Sequence, residues 1–260
     1  MEIVIASSAD EAATIAADAI ERLLTECDRP TLGLATGSSP LPTYRELIDR
    51  RHARRISFAD TRAVLLDEYV GLPTGHPQSY RRFIERELTD HLDIADNALH
   101  GPDGTADNRN SAGEYDELLA TEGGVDLQLL GIGGDGHIGF NEPGSSLASR
   151  TRLKTLTHST RRDNARFFGD DVDAVPRHVI TQGIGTILEA HHLVLLASGA
   201  AKSEPIARAV EGPVTAMVPA SAMQLHPHAT VILDGAAAAA LANADYYREA
   251  FEHKPEWQHI

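Results

Sequence analysis

The chain has 260 residues at 28.0 kDa and carries 38 Asp and Glu against 23 Lys and Arg, a formal charge of −15. Hydrophobic residues make up 42%, enough for a sizeable core, and no apolar run approaches a membrane span; disorder and a transmembrane protein are excluded. Such an acidic surface repels nucleic acid and anionic membranes, so neither is an expected partner.

The single cysteine, Cys27, excludes an internal disulfide framework and any multi-cysteine zinc site. The N-terminal residues Met1-Glu2-Ile3-Val4-Ile5 lack a basic signal-type region, which with the cysteine count points to a reducing cytoplasm. Only Lys154, Lys202 and Lys254 are lysines. An acidic, lysine-poor chain fits a high-salt cytoplasm, where salt screens self-repulsion; a GC-rich genome, which favours Arg codons, accounts for the lysine count alone.

A first strand is predicted over 2–6. Ser8 with Glu11 forms a capping-box start, and Ile15, Ile20, Leu23 and Leu24 follow near helical spacing. A strand over 31–35 feeds the turn Thr36-Gly37-Ser38-Ser39-Pro40, and a helix runs on through Tyr44, Leu47 and Ile48. The buried strand 62–66 ends at Asp67. Residues 77–92 read as helix. Ser111 with Glu114 opens another, and 125–130 is a strand running into a glycine-rich loop. Strands at 193–197 and 230–233 bracket a helix from about 201 to 210, and the alanine run 236–240 reads as helix. This alternation predicts an α/β fold: an open, mainly parallel sheet with helices on both faces, a Rossmann-like three-layer arrangement. No repeat or linker divides it, so 1–260 is read as one domain.

The polar and glycine clusters all follow strands, where ligands bind in open α/β sheets. Thr36, Gly37, Ser38 and Ser39 offer backbone N–H groups and hydroxyls at a helix start, suited to a phosphate or simply a βα turn. Asp67, at a strand end under apolar neighbours, is a candidate general base or a helix cap. The loop Gly131-Ile132-Gly133-Gly134-Asp135-Gly136-His137-Ile138-Gly139-Phe140-Asn141-Glu142-Pro143 holds Asp135, His137 and Glu142 within eight residues. A histidine flanked by carboxylates suits acid–base work near neutral pH; a one-His, two-carboxylate metal site and a structural turn are the rival readings. Lys202 opens a helix, a position unfavourable for a cation unless an anion is present.

Taken together these segments resemble the glucosamine-6-phosphate deaminase family. The resemblance rests on LGLATGSSP at 32–40, LDEYVGLP at 66–73, GIGGDGHIGFNEPGSSLASRTRLKTLT at 131–157, NARFF at 164–168, ITQGIGTIL at 180–188 and LASGAAK at 196–202. It implies aldose–ketose isomerisation of glucosamine 6-phosphate with loss of ammonia, giving fructose 6-phosphate, without metal or organic cofactor. Asp67 would move the proton from C2 to C1, and His137, oriented by Asp135 and Glu142, would open the sugar ring. The 36–39 turn, Arg166 and Lys202 would hold the phosphate. Phe167-Phe168 and the acidic stretch 169–173 would belong to a moving lid.

The resemblance further implies a homo-hexamer activated by N-acetylglucosamine 6-phosphate. The matching residues are Ser145, Arg152 and Lys154, with Tyr246 and the Met1 amino group. Arg152 and Lys154 alternate along an expected strand and so share a face. Ser39 replaces a commoner Thr, and the chain departs most from the family after Asp234. A 6-phosphogluconolactonase-like hydrolase shares the fold and a DGH loop, but FNEP and DEYVGLP fit the deaminase pattern. A galactosamine 6-phosphate deaminase and a non-catalytic sugar-phosphate sensor are the other readings, and a sensor has no need of both Asp67 and His137.

Overall fold

The apolar runs become strands of one parallel sheet, because strands buried on both faces read as near-continuous hydrophobic stretches. The computed structural model describes residues 1–105, 109–255 and 257–260. In chain order the first half comprises β1 (Glu2–Ala6), α1 (Ala9–Glu26), β2 (Thr31–Leu34), α2 (Leu41–His52), β3 (Arg62–Leu65), β4 (Asp67–Tyr69), α3 (Tyr80–Glu87), β5 (Leu99–His100) and α4 (Ser111–Thr121). It continues with β6 (Leu127–Leu130), β7 (Arg152–Thr155), α5 (His158–Asn164), β8 (His178–Thr181), α6 (Ile184–Ile187), β9 (His192–Ala197), α7 (Ser203–Val210), β10 (Ala229–Asp234) and α8 (Ala244–Glu252).

Seven strands form the larger sheet in the order β1-β10-β9-β6-β2-β3-β5. Its apolar side chains and those of the surrounding helices make the main core, with Ile20, Tyr44, Leu129 and Ile232 fully buried. The expected α/β fold is therefore present, and its larger sheet is parallel throughout. A second, antiparallel sheet of order β4-β8-β7 was not expected. It covers a smaller core of Tyr69, Phe140, Leu156, Ala165, Val175 and Val179.

The chain changes sheets at Leu66, so the strand expected over 62–66 ends as β3 at Leu65 and β4 begins at Asp67. Tyr115 Oη donates to Leu65 O at 2.6 Å, Gln182 Nε2 to the same carbonyl at 3.0 Å, and Gln182 N to Leu66 O at 2.8 Å. These bonds satisfy the backbone where it leaves the large sheet, and β4 pairs with β8, Asp67 opposite Thr181.

Local signals fared unevenly. Ser8 caps α1, its side chain accepting from Glu11 N at 3.1 Å, but the Glu11 carboxylate returns to Ser7 rather than to Ser8. Ser111 is the first residue of α4 and not its cap. The helix expected over 77–92 is shorter: Ser79 caps it through Arg82 N at 3.2 Å, Leu88 leaves helical geometry at φ −145°, and a 3-10 turn follows. The alanine run 236–240 forms turns instead of helix. Five good helix formers between Gly235 and Leu241 are too few to offset nucleation, and the Asp234 side chain takes the Ala237 N–H.

His192, buried at the start of β9, makes stability pH-dependent. Its ring stacks on His228 with centroids 3.7 Å and planes 3° apart, and Nε2 meets Thr230 Oγ1 at 2.9 Å. Burial, then His228, His226, Arg22 and Lys254, pushes its pKa down to about 3. Above about pH 6.5 it is neutral in both states and contributes nothing. Below that the unfolded chain takes a proton that the folded chain refuses, so stability falls with pH down to about pH 3. Between about pH 7 and pH 5 this group alone should cost about 2 kcal/mol. Urea unfolding of His192→Gln should show a loss smaller by that amount than the unaltered protein; equal losses would mean the imidazole is not held neutral.

Candidate active site

A cavity of about 850 Å³ opens where the carboxyl ends of β2, β3, β6 and β9 meet, the location favoured by the topology of open α/β sheets. Thr36, Gly37, Ser38, Ser39, Asp67, Asp135, His137, Glu142, Arg166 and Lys202 all line it. These ten come from segments spread over more than 160 residues of chain, and the sheet order brings them to one rim.

Asp67 and Glu68 are adjacent on β4, so their side chains point to opposite faces. Asp67 is buried and faces the cavity. Burial, reinforced by the neighbouring Glu68 charge, raises its pKa well above the ordinary carboxylate range. Glu68, also buried, accepts from Tyr69 N at 2.8 Å and from Tyr80 N and Arg81 N, both at 2.9 Å. It thus fastens the N-terminus of α3 to β4, where the helix dipole favours a carboxylate. Burial raises the Glu68 pKa, and these three N–H donors oppose that rise.

In the glycine loop, His137 Nδ1 lies 2.6 Å from Asp135 Oδ1, and the same oxygen accepts from His137 N at 3.1 Å. The His137 hydrogen bond holds the Asp135 pKa below its usual value, so Asp135 is ionised and Nδ1 carries the proton. Nε2 is left to accept one. Gly133 is required for this arrangement: a Cβ there would lie 2.1 Å from the imidazole Cε1. Glu142 takes a different place from the one expected. Its Oε1 accepts from Thr157 Oγ1 at 3.3 Å and from Thr160 Oγ1, so it ties the loop to the start of α5 rather than bonding to His137.

Two cations, Lys202 and Arg166, also line the cavity. The 36–39 turn leads into α2, which has no side-chain cap, and the end of β2 is pinned by Tyr44, whose Oη donates to Ala35 O at 2.6 Å. Lys202 Nζ reaches back to Ile132 O at 2.5 Å. Its pKa is lowered by burial and then by Arg166, with Asp135 opposing. The Arg166 guanidinium lies 4.7 Å from the centre of the Phe167 ring. Two cations beside the N–H groups of a helix start are suited to a dianion.

The remaining expected residues lie outside the cavity. Arg152 and Lys154 are both half-buried on β7 and share a face, and burial lowers the Arg152 pKa. Ser145 is buried, and its hydroxyl has no hydrogen-bond partner. Met1 precedes β1, an edge strand of the large sheet against which α8, carrying the exposed Tyr246, is packed. The five therefore divide between two parts of the fold.

Sequence reasoning missed the aromatic wall beside Asp67. Tyr80 stacks on Phe140 at 5.9 Å and 9°, its Oη lies 3.3 Å from Tyr69 Oη, and Phe168 meets Tyr69 edge-on at 5.7 Å. Only the Tyr69–Asp67 adjacency was a local signal; the other rings arrive from separate elements. Glu68 carried a signal that was not used, since strand alternation lets only one of two adjacent acids face the crevice.

A profile of the family described as glucosamine-6-phosphate isomerases/6-phosphogluconolactonase matches residues 5–232. A glucosamine-6-phosphate deaminase of Beutenbergia cavernae is 58% identical over 259 residues, 99% of each chain. A solved structure of a monomeric glucosamine-6-phosphate deaminase is 39% identical with a TM-score of 0.89, covering 92% of this chain and 100% of that one. A 6-phosphogluconolactonase from Trypanosoma brucei, 21% identical with a TM-score of 0.73 over 93% of this chain and 98% of that one, shares the fold. The chain belongs to the family of glucosamine-6-phosphate isomerases and 6-phosphogluconolactonases.

Proposed function

We propose that the chain converts glucosamine 6-phosphate to fructose 6-phosphate and ammonia, as its relatives' names indicate for them. The observation that carries this reading is a buried carboxylate with a raised pKa, Asp67, facing the same cavity as the Asp135–His137 pair, Lys202 and Arg166. The phosphate binds to the 36–39 turn, Arg166 and Lys202, and this non-reacting group fixes the sugar over Asp67. His137 Nε2 takes the proton of the anomeric hydroxyl and returns one to the ring oxygen, opening the ring. Asp67 then removes the C2 proton and delivers it to C1. This leaves an iminium at C2, which water hydrolyses to the ketose and ammonium. No step calls on a metal or organic cofactor.

Ammonium release from glucosamine 6-phosphate tests the reading. The expected result is stoichiometric ammonium and fructose 6-phosphate; hydrolysis of 6-phosphogluconolactone without ammonium would overturn it. Galactosamine 6-phosphate in the same assay settles the epimer.

The reading extends to regulation. N-acetylglucosamine 6-phosphate activates at Ser145, Arg152 and Lys154, a buried, unpartnered hydroxyl and two half-buried cations on one face of β7. Met1 and Tyr246 belong to another part of the fold, so one site containing all five draws on two copies, in keeping with a homo-hexamer. Oligomer formation is then the difference from the monomeric relative. Lys154→Ala should abolish activation while leaving the maximal rate within about twofold. Hyperbolic kinetics of the unaltered protein, insensitive to the acetylated sugar, would end this proposal. The chain functions in the cytoplasm as one domain, and its acidic surface suits high salt; no described helix is long and apolar enough to cross a membrane.

A further inference from the structure

We infer that Asp234, which lies outside the cavity, is a positioning residue that sets the reach of Lys202 toward the substrate phosphate. The inference rests on the assignment of Lys202 to the phosphate. Asp234 ends β10, beside the C-terminal end of β9, since Leu233 is in register with Ala197. Its carboxylate accepts from Gly199 N at 3.1 Å on Oδ1 and 2.9 Å on Oδ2, and from Ala237 N at 2.7 Å on Oδ1. One side chain thereby clasps the turn that follows β9 to the turn that follows β10.

Gly199 needs the clasp. It sits at φ 86°, ψ 154°, a conformation open to glycine and costly for other residues, and glycine is also the residue freest to leave it. The Gly199 carbonyl accepts from Lys202 N at 3.0 Å, closing the 3-10 turn Ala200–Lys202. From the far end of that turn Lys202 Nζ donates to Ile132 O at 2.5 Å. The ammonium is thus fixed at its tip by the β6 loop and at its base, through Gly199, by Asp234. A lysine stem has four rotatable bonds, so the position of its backbone decides where the charge falls.

Charge argues against a direct role. Asp234 has no ion-pair partner among the described residues, and an unpaired carboxylate close to an anion-holding loop opposes anion binding. Its contribution is therefore geometric. Asn keeps an acceptor at the same reach without the negative charge. Ser keeps the bond to the N–H three residues on but is too short to span to Gly199.

The test is steady-state kinetics with inorganic phosphate as competitive inhibitor. Asp234→Ser should raise KM and the phosphate inhibition constant about tenfold, the scale of a lost hydrogen bond to a charged group, with kcat within about threefold. Asp234→Asn should stay within about twofold on both constants. In a Lys202→Met background, Asp234→Ser should add less than about twofold, because the two act through one charge. A lowered Tm with unchanged constants, or an equal effect with and without Lys202, would overturn the inference while leaving the phosphate assignment intact. An unchanged inhibition constant in Lys202→Met alone would overturn that assignment and the inference with it. Should Asp234→Ser not fold, Asp234→Glu, whose longer stem displaces Gly199, carries the same comparison.

Discussion

Asp67→Asn should lower kcat by roughly 10³-fold or more and abolish exchange of the C2 proton, with the affinity for the sugar phosphate kept within about threefold. The side chains are nearly isosteric, so the packing of β4 against β8 and the backbone pairing of Asp67 with Thr181 survive. What is lost is the only feature of this position that can accept a proton from carbon. Asp67 must be ionised to act, and burial together with Glu68 raises its pKa well above the ordinary carboxylate range. Activity should therefore fall as pH falls through that raised value, so the acid limb of kcat/KM should lie above where an exposed aspartate would put it. The same elevation makes the conjugate acid a ready donor to C1. Isotope exchange at C2 in deuterated water, followed by NMR, reads the step directly; exchange persisting in the Asn variant would remove Asp67 from the reaction.

His137→Asn should lower kcat roughly 10²–10³-fold on the cyclic substrate. The imidazole is held by Asp135 at 2.6 Å with Nε2 available, and the ionised Asp135 stabilises the imidazolium that forms when Nε2 takes the anomeric proton. Asn can still bond to Asp135 but cannot carry a proton between two oxygens. An acyclic reduced analogue of the substrate bypasses ring opening, so it should bind to the variant as tightly as to the unaltered protein. A parallel loss of affinity for this analogue would show that His137 holds the sugar rather than opening it.

Most of the site was readable because each piece is local. Thr36 to Ser39, Asp135 with His137, and Lys202 each sit just past a strand, and a strand end announces itself by the switch from apolar residues to glycine and hydroxyls. The Asp135–His137 contact needs only two residues of spacing and a glycine-rich loop. Glu142 is different. Its five-residue distance from His137 suggested one cluster, but the chain turns between them and Thr157 and Thr160 claim its carboxylate. The aromatic wall draws on β4, α3, the glycine loop and the segment after α5, and no periodicity joins those four.

From the order of residues alone came the parallel α/β sheet, the rim at its carboxyl edge and most of the expected cavity residues, because alternation, capping and strand-end chemistry are short-range effects written into neighbouring residues; Arg166 came only from the family resemblance. Folding in three dimensions decided the rest. The antiparallel β4-β8-β7 sheet pairs β4 with a strand more than 100 positions on, Asp67 opposite Thr181. The alanine run gives up helix for turns, and Glu68 and Asp234 spend their carboxylates on N–H groups of other elements. For Tyr80 and Gly199 the acceptor of a backbone N–H came from another element, and which acceptor lay within 3 Å depended on packing between segments rather than on any local preference.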